Sequence, residues 1–197
     1  MLITLEPTFY LRNHPLYYSP YDTLMITSIE SPIKLSIPDE DFTIREVGFL
    51  HAYRLNLSFP PDLLLTYADM LSDSVSNVAD YFLGEGQSSC FPENVVSSAQ
   101  QIIYIEDFYV EPQYRGRNIG LKSLALFLQM LGQGAIVAGC PFPAGEEDSP
   151  GARRRQRLLI DYWSKLGLLC HCQKRNILWN DNWQLPKWLE ECLWHEI

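Results

Sequence analysis

The chain has 197 residues, of which 47% are hydrophobic and 13% aromatic, enough for a packed core and against disorder. Its net charge of −9, with a pI of about 4.8, removes the broad positive field that phosphate-backbone binding needs, so nucleic acid is not expected as a partner. No apolar run reaches the roughly eighteen residues of a membrane span, and the N-terminal stretch has neither a basic start nor an unbroken apolar segment, so a soluble, cytoplasmic protein is expected.

The acidity lies in the first half. Residues 1–100 carry four basic against thirteen acidic side chains, and residues 101–197 carry eleven of each. Such a half either draws a cationic acceptor or merely keeps the protein soluble. Five cysteines, Cys90, Cys140, Cys170, Cys172 and Cys192, are an odd number in a chain large enough to dispense with disulfides, so a reducing compartment is expected. Cys170-His171-Cys172 does not read as a metal clip, because neighbouring strand residues point to opposite faces and no second ligand pair is suitably spaced; no metal is expected.

Residues 23–37 and 43–57 are rich in β-branched and aromatic residues and flank the turn-like Pro38-Asp39-Glu40-Asp41, which predicts two antiparallel strands. Pro60-Pro61-Asp62 opens a helix with Leu64, Tyr67, Ala68 and Leu71 on one face. A second, carrying Val75, Val78, Ala79 and Phe82, follows a kink at Ser72-Asp73-Ser74. Residues 84–100 read as a loop and 102–110 as a buried strand. Helix 120–131, strand 135–140, helix 150–166 and strand 168–179 complete an α/β alternation in one domain. Leu158, Leu159, Tyr162, Trp163 and Leu166 form the expected buried stripe of the last helix, which Gly167 closes. Trp179, Trp183, Trp188 and Trp194 are expected to pack a terminal strand and short helix onto the core, with a homodimer interface as their alternative use.

Residues 102–131, IIYIEDFYVEPQYRGRNIGLKSLALFLQML, carry the chemistry. A turn feeding a helix N-terminus directs unpaired backbone N–H groups at one spot, where the helix dipole adds partial positive charge; a phosphate suits that spot. Gly116 and Gly120 let the backbone approach an anion, Asn118 tolerates positive φ, and Arg115 and Arg117 add charge at the rim. The spacing is neither that of a dinucleotide-binding glycine fingerprint nor that of a nucleoside-triphosphate loop.

The pattern V-x-P-x-Y-R-G-x-x-I-G between a strand and an amphipathic helix resembles motif A of the GNAT acetyltransferase superfamily, over about thirty residues. Asn118 stands where that family usually has its middle glycine. The resemblance implies an α/β (α+β) GNAT fold, a central mixed, mostly antiparallel sheet with helices on both faces, and a splayed strand pair that holds the coenzyme. It further implies acetyl-CoA as cosubstrate and a primary amine, on a small molecule or a protein, as acceptor. Residues 1–100 become the acceptor side, 101–179 the acetyl-CoA-binding core and 180–197 a C-terminal extension of a single domain, 1–197. The coenzyme would lie against Phe108, Tyr109, Val110, Arg115, Gly116, Arg117, Asn118, Ile119 and Gly120, with a backbone N–H of Phe108 or Tyr109 polarising the thioester.

Glu106 is the expected base, since a carboxylate in a mostly apolar strand should have a raised pKa and diamine and polyamine acetyltransferases resemble this strand at that residue. Asp107 should face the other way. DYWSKLGL resembles the family's Y-x-x-L-G-F ending, but Trp163 replaces the tyrosine that often protonates the leaving thiolate. Tyr162 is the remaining candidate acid, although helical spacing turns it toward another face. The first half departs from the family's usual order, because two strands precede the helices. Arg153–Arg157 reads as a solvated face or as a contact for the coenzyme's 3′-phosphate or an RNA acceptor. A non-catalytic acyl-CoA-binding regulator and a toxin-like aminoacyl-tRNA acetyltransferase are the rival readings.

Overall fold

In a computed structural model, residues 2–10, 24–36, 43–84, 95–141 and 150–194 are described. Eight strands form one sheet: β1 (Leu2–Leu5), β2 (Thr8–Tyr10), β3 (Ile26–Ser36), β4 (Ile44–Asn56), β5 (Gln101–Val110), β6 (Ile136–Gly139), β7 (Cys170–Cys172) and β8 (Ile177–Asn180). Their order is β1-β3-β4-β5-β6-β8-β7, with β2 also paired to β3. Among the described residues only β5 and β6 run parallel. The helices are α1 (Pro61–Leu71), α2 (Asp73–Leu83), the short α3 (Val95–Ser98), α4 (Ile119–Leu131), α5 (Pro150–Ser164) and α6 (Lys187–Trp194). No helix among the described residues is long and apolar enough to cross a membrane.

Side-chain alternation along residues 102–105 of β5 divides the core. Ile102 and Tyr104 join Tyr53, Leu55, Ala138 and the α1–α2 residues Leu64, Tyr67, Val78 and Phe82 on one face of the sheet. Ile103 and Ile105 join Leu50, Ala52, Val137 and the α4 residues Leu121, Leu124 and Leu128 on the other, where Trp163, Trp183 and Leu189 also pack. Trp183 is fully buried and donates from its indole N–H to the Leu166 carbonyl at 2.7 Å. Burial of each such large side chain contributes roughly 1.5–3 kcal/mol.

Helix boundaries follow local chemistry. Proline at N1 starts α1. Ser72, in extended conformation, ends it and caps α2, its hydroxyl accepting from the Val75 N–H at 3.2 Å. The expected kink is therefore a full break with a cap.

Several boundaries differ from the sequence reading. Residues 168–179 form a hairpin, β7 and β8, because the polar Gln173-Lys174-Arg175-Asn176 makes a turn with Asn176 at φ 54°. Residues 84–100, read as loop, include α3; residues 85–94 lie outside the described ones. The edge strands β1 and β2 were not anticipated, their segments being short and lacking an alternating pattern. In α5, Leu158 is 62% exposed instead of buried, since that side of the helix faces a cleft rather than the core. Cys170 is exposed and Cys172 buried. Glu146, Glu147 and Asp148, which precede Pro150, and Pro143 lie outside the described residues.

Candidate active site

β5 and β6 pair only from Ile102↔Ile136 to Ile105↔Gly139. β6 stops there, whereas β5 continues to Val110. Among the described residues no strand occupies that side of β5 beyond Ile105. A cleft of about 710 Å³ opens at this divergence, walled by β5, the N-terminal end of α4 and one face of α5. This volume suits a small-molecule or cofactor site, typically about 300–1,000 Å³.

The turn between β5 and α4 shapes one end of the cleft. Pro112–Tyr114 makes a single 3-10 turn, Gly116 has φ +79°, and Asn118 at φ 57° is the N-cap of α4. Asn118 makes no side-chain capping bond, so the first-turn N–H groups of α4 are left for a ligand. Gly120 has no room for a side chain: a Cβ would lie 2.3 Å from the Tyr162 hydroxyl and 3.1 Å from the Phe108 ring. Arg115 is fixed at the rim, donating from Nε to the Val110 carbonyl at 2.7 Å with its guanidinium 5.3 Å from the Tyr109 ring centre. Every residue expected to hold the coenzyme lines the cleft except Arg117, which is exposed and lies outside it. Of the arginine run, Arg155 reaches the cleft lining.

A β-bulge re-aims the catalytic candidates. His51 of β4 pairs with Asp107 and the next residue, Ala52, pairs with Ile105, so Glu106 is an inserted residue on β5. The insertion breaks the alternation that would send Glu106 and Asp107 to opposite faces. Both line the cleft, and their carboxylate oxygens lie with a His51 ring nitrogen within 4.8 Å of one another. Glu106 Oε2 is 3.0 Å from His51 Nδ1. Its Oε1 accepts from the Ser74 hydroxyl and, at 3.2 Å, from that of Ser72, which also lies 2.9 Å from Ser74 Oγ. Glu106, His51, Ser72 and Ser74 thus form one hydrogen-bonded network.

The Glu106 pKa is lowered, against expectation. Burial pushes it up, but the hydrogen bonds from His51 and Ser74, the electrostatic attraction of His51 and the bond from Ser72 together outweigh burial. The carboxylate also sits at the N-terminus of α2, where the helix dipole favours an anion. The sequence reading missed these partners because Ser72 and Ser74 are thirty-odd residues away and only the fold brings them to β5.

Tyr162 also departs from expectation. It lines the cleft beside Trp163, because the inward face of α5 is wide enough to include both. Burial raises its pKa, so its hydroxyl stays protonated at neutral pH. Trp163 is 7% exposed, and its ring lies 3.0 Å from where a Cβ on Gly139 would stand. Cys140, next along the chain, lines the cleft at the end of β6; burial raises its pKa, a hydrogen bond with Tyr104 lowers it and the Glu106 charge raises it.

No family model matches the chain, and no curated protein matches it. Solved structures similar at low identity include three N-acetyltransferases. An apo agmatine N-acetyltransferase variant is 15% identical, with 80% of this chain and 70% of that one covered and a TM-score of 0.36. Arabidopsis thaliana NAA60 in complex with a bisubstrate analogue is 14% identical, covering 78% and 83%, with a TM-score of 0.31. A Drosophila melanogaster polyamine N-acetyltransferase that forms N-acetylagmatine is 16% identical, covering 90% and 80%, with a TM-score of 0.31. Similarity at this level carries no conclusion about chemistry.

Proposed function

We propose that the protein is an N-acetyltransferase that binds acetyl-CoA in the β5–α4–α5 cleft and transfers its acetyl group to a primary amine by direct attack. The observation that carries this reading is the uncapped α4 N-terminus, with Asn118 at positive φ, at one end of a cleft that has a carboxylate cluster on the same strand. The backbone at Arg115, Gly116 and 118–120 would hold the pyrophosphate through N–H groups. The edge of β5 at 108–110, with which no described strand pairs on the β6 side, would meet the amides of the pantetheine arm, and an N–H there would polarise the thioester carbonyl.

Glu106 is the proposed base. Its lowered pKa makes it an anion at neutral pH, ready to receive a proton as the nitrogen attacks. The amine enters neutral; the new C–N bond forms, the C–S bond breaks, the nitrogen's proton passes to Glu106 and then to water, and the thiolate takes one from Tyr162, which water reprotonates. Alignment of amine and thioester supplies much of the acceleration.

A second reading, a non-catalytic acyl-CoA-binding protein, draws on the hydroxyls and imidazole that already engage Glu106. Incubation with acetyl-CoA and a panel of amines, peptides and aminoacyl-tRNA separates the two. Free thiol release with a product heavier by one acetyl group is expected. Thermal stabilisation by the coenzyme without thiol release from any acceptor overturns the enzymatic reading.

A further inference from the structure

At the bulge, three groups able to ligate a metal meet. One ring nitrogen of His51 and one carboxylate oxygen each from Glu106 and Asp107 lie within 4.8 Å of one another. No Lys or Arg among the described residues is paired with either carboxylate, and Asp107 has no hydrogen-bond or ionic partner there at all. Two carboxylates this close repel each other unless a cation joins them. The sequence reading, which expected no metal, weighed only the Cys170–Cys172 stretch. These ligands come from two strands and meet only through the bulge.

The spacing and the surroundings fit a small divalent ion. Glu106 Oε2 and His51 Nδ1 are 3.0 Å apart, close to the separation of two neighbouring ligands that each stand about 2.0–2.2 Å from one zinc ion. Asp107 is exposed, so rotation of its side chain closes the remaining gap. A metal on Nδ1 requires the ring hydrogen on Nε2, and Nε2 lies 2.9 Å from the oxygen of Ser28, a residue 2% exposed that accepts it. Glu106 offers Oε2 while the Ser72 and Ser74 hydroxyls hold its Oε1. Outer partners of this kind orient the ligands of a metal. One nitrogen and two oxygens suit zinc better than magnesium or calcium, which take oxygen ligands. Three protein ligands leave a further position open to the cleft that Glu106 and Asp107 line.

We propose that His51, Glu106 and Asp107 form a zinc-binding site, and that zinc there inhibits acetyl transfer by occupying the carboxylate the amine needs. On binding, the hydrogen shared between Nδ1 and Glu106 leaves to water, and a bond from each group to the metal replaces it. The site stands independently of the acetyl-transfer reading, whereas its inhibitory effect rests on that reading.

Calorimetric titration of the metal-stripped full chain with zinc chloride tests the site. One ion per chain is expected, with affinity lower by about tenfold or more in Asp107→Asn and by roughly 10–100-fold in Ser28→Ala, which removes only the outer partner. Asp107 is exposed, so its variant keeps the fold and decides the matter if the buried Ser28 variant unfolds. No zinc uptake by the wild type, or unchanged affinity in Asp107→Asn, overturns the inference. Cobalt(II) in place of zinc gives a second readout: its visible bands should appear without thiolate charge transfer, and thiolate charge transfer assigns the metal to a cysteine and overturns the site. In the transfer assay zinc should raise the KM for the amine, EDTA should restore it, and Asp107→Asn should need about tenfold more zinc. Stoichiometric zinc binding by an active wild type without inhibition overturns the inhibitory role. Absence of transfer by the zinc-free wild type overturns the proposed function and the inhibitory role with it, and the titration still decides the site.

Discussion

Glu106→Gln should destabilise the fold at neutral pH and much less in acid. The carboxylate receives one full hydroxyl bond from Ser74, one from His51 and a share of the Ser72 proton, with its side chain 18% exposed. Hydrogen bonds to a charged acceptor contribute about 1.5–3 kcal/mol each, against about 0.5–1.5 for neutral ones. The amide weakens the hydroxyl bonds and sets its own NH₂ against a ring N–H. A loss of about 2–3 kcal/mol at pH 7 follows from those differences. For a chain of this size that is about 4–12 °C in Tm. The sign with pH is fixed by the direction of the shift. The folded-state pKa of Glu106 is depressed, so the wild-type advantage is present above the unfolded carboxyl value of about 4.3 and fades as pH falls through the folded value. Urea unfolding of both proteins at pH 7 and about pH 3 measures the gap, which must narrow in acid. An equal gap at both values, or none at pH 7, refutes the anchoring of α2 by this charge.

Other perturbations address the cleft and the core. Asn118→Gly should leave stability within a few tenths of a kcal/mol, whereas Asn118→Val, forced into φ 57°, should cost about 1–2 kcal/mol in chemical denaturation. In Gly120→Ala the overpacking against Tyr162 and Phe108, about 1–3 kcal/mol, should exceed a helix-propensity gain of up to about 1 kcal/mol. The same variant should lose acetyl-CoA-induced thermal stabilisation; full stabilisation would place the coenzyme elsewhere. Cys140 should alkylate with iodoacetamide more slowly than an exposed cysteine at neutral pH, accelerate as pH rises, and be protected by acetyl-CoA, as peptide mass mapping would show. Trp183→Phe leaves the Leu166 carbonyl without its buried donor and should cost about 1–3 kcal/mol in thermal unfolding.

The β5–α4 unit was legible in the sequence because its signals are local. An apolar run bounded by Pro112 gives the strand, and the 121/124/125/128 spacing gives the helix face. The α1–α2 break was legible for the same reason, at Ser72. The Glu106 environment was not. A bulge depends on the register of two strands, and no property of Glu106, Asp107 or His51 alone announces that Ala52 pairs with Ile105. An isolated carboxylate in an apolar strand suggests a raised pKa, and the reversal comes from donors brought by α2 and β4. Tyr162 was misplaced by treating the inward stripe of α5 as a single row, although the cleft and the core draw on adjacent rows.

Beyond Ile105 no described strand pairs with the β6 side of β5, and that edge opens on the cleft. On an outer surface such an edge invites pairing with other chains and aggregation. Here it lies in the cleft walled by α4 and α5, whose volume suits one small ligand and not a second sheet. The same recess that makes the edge safe therefore selects what can complete it.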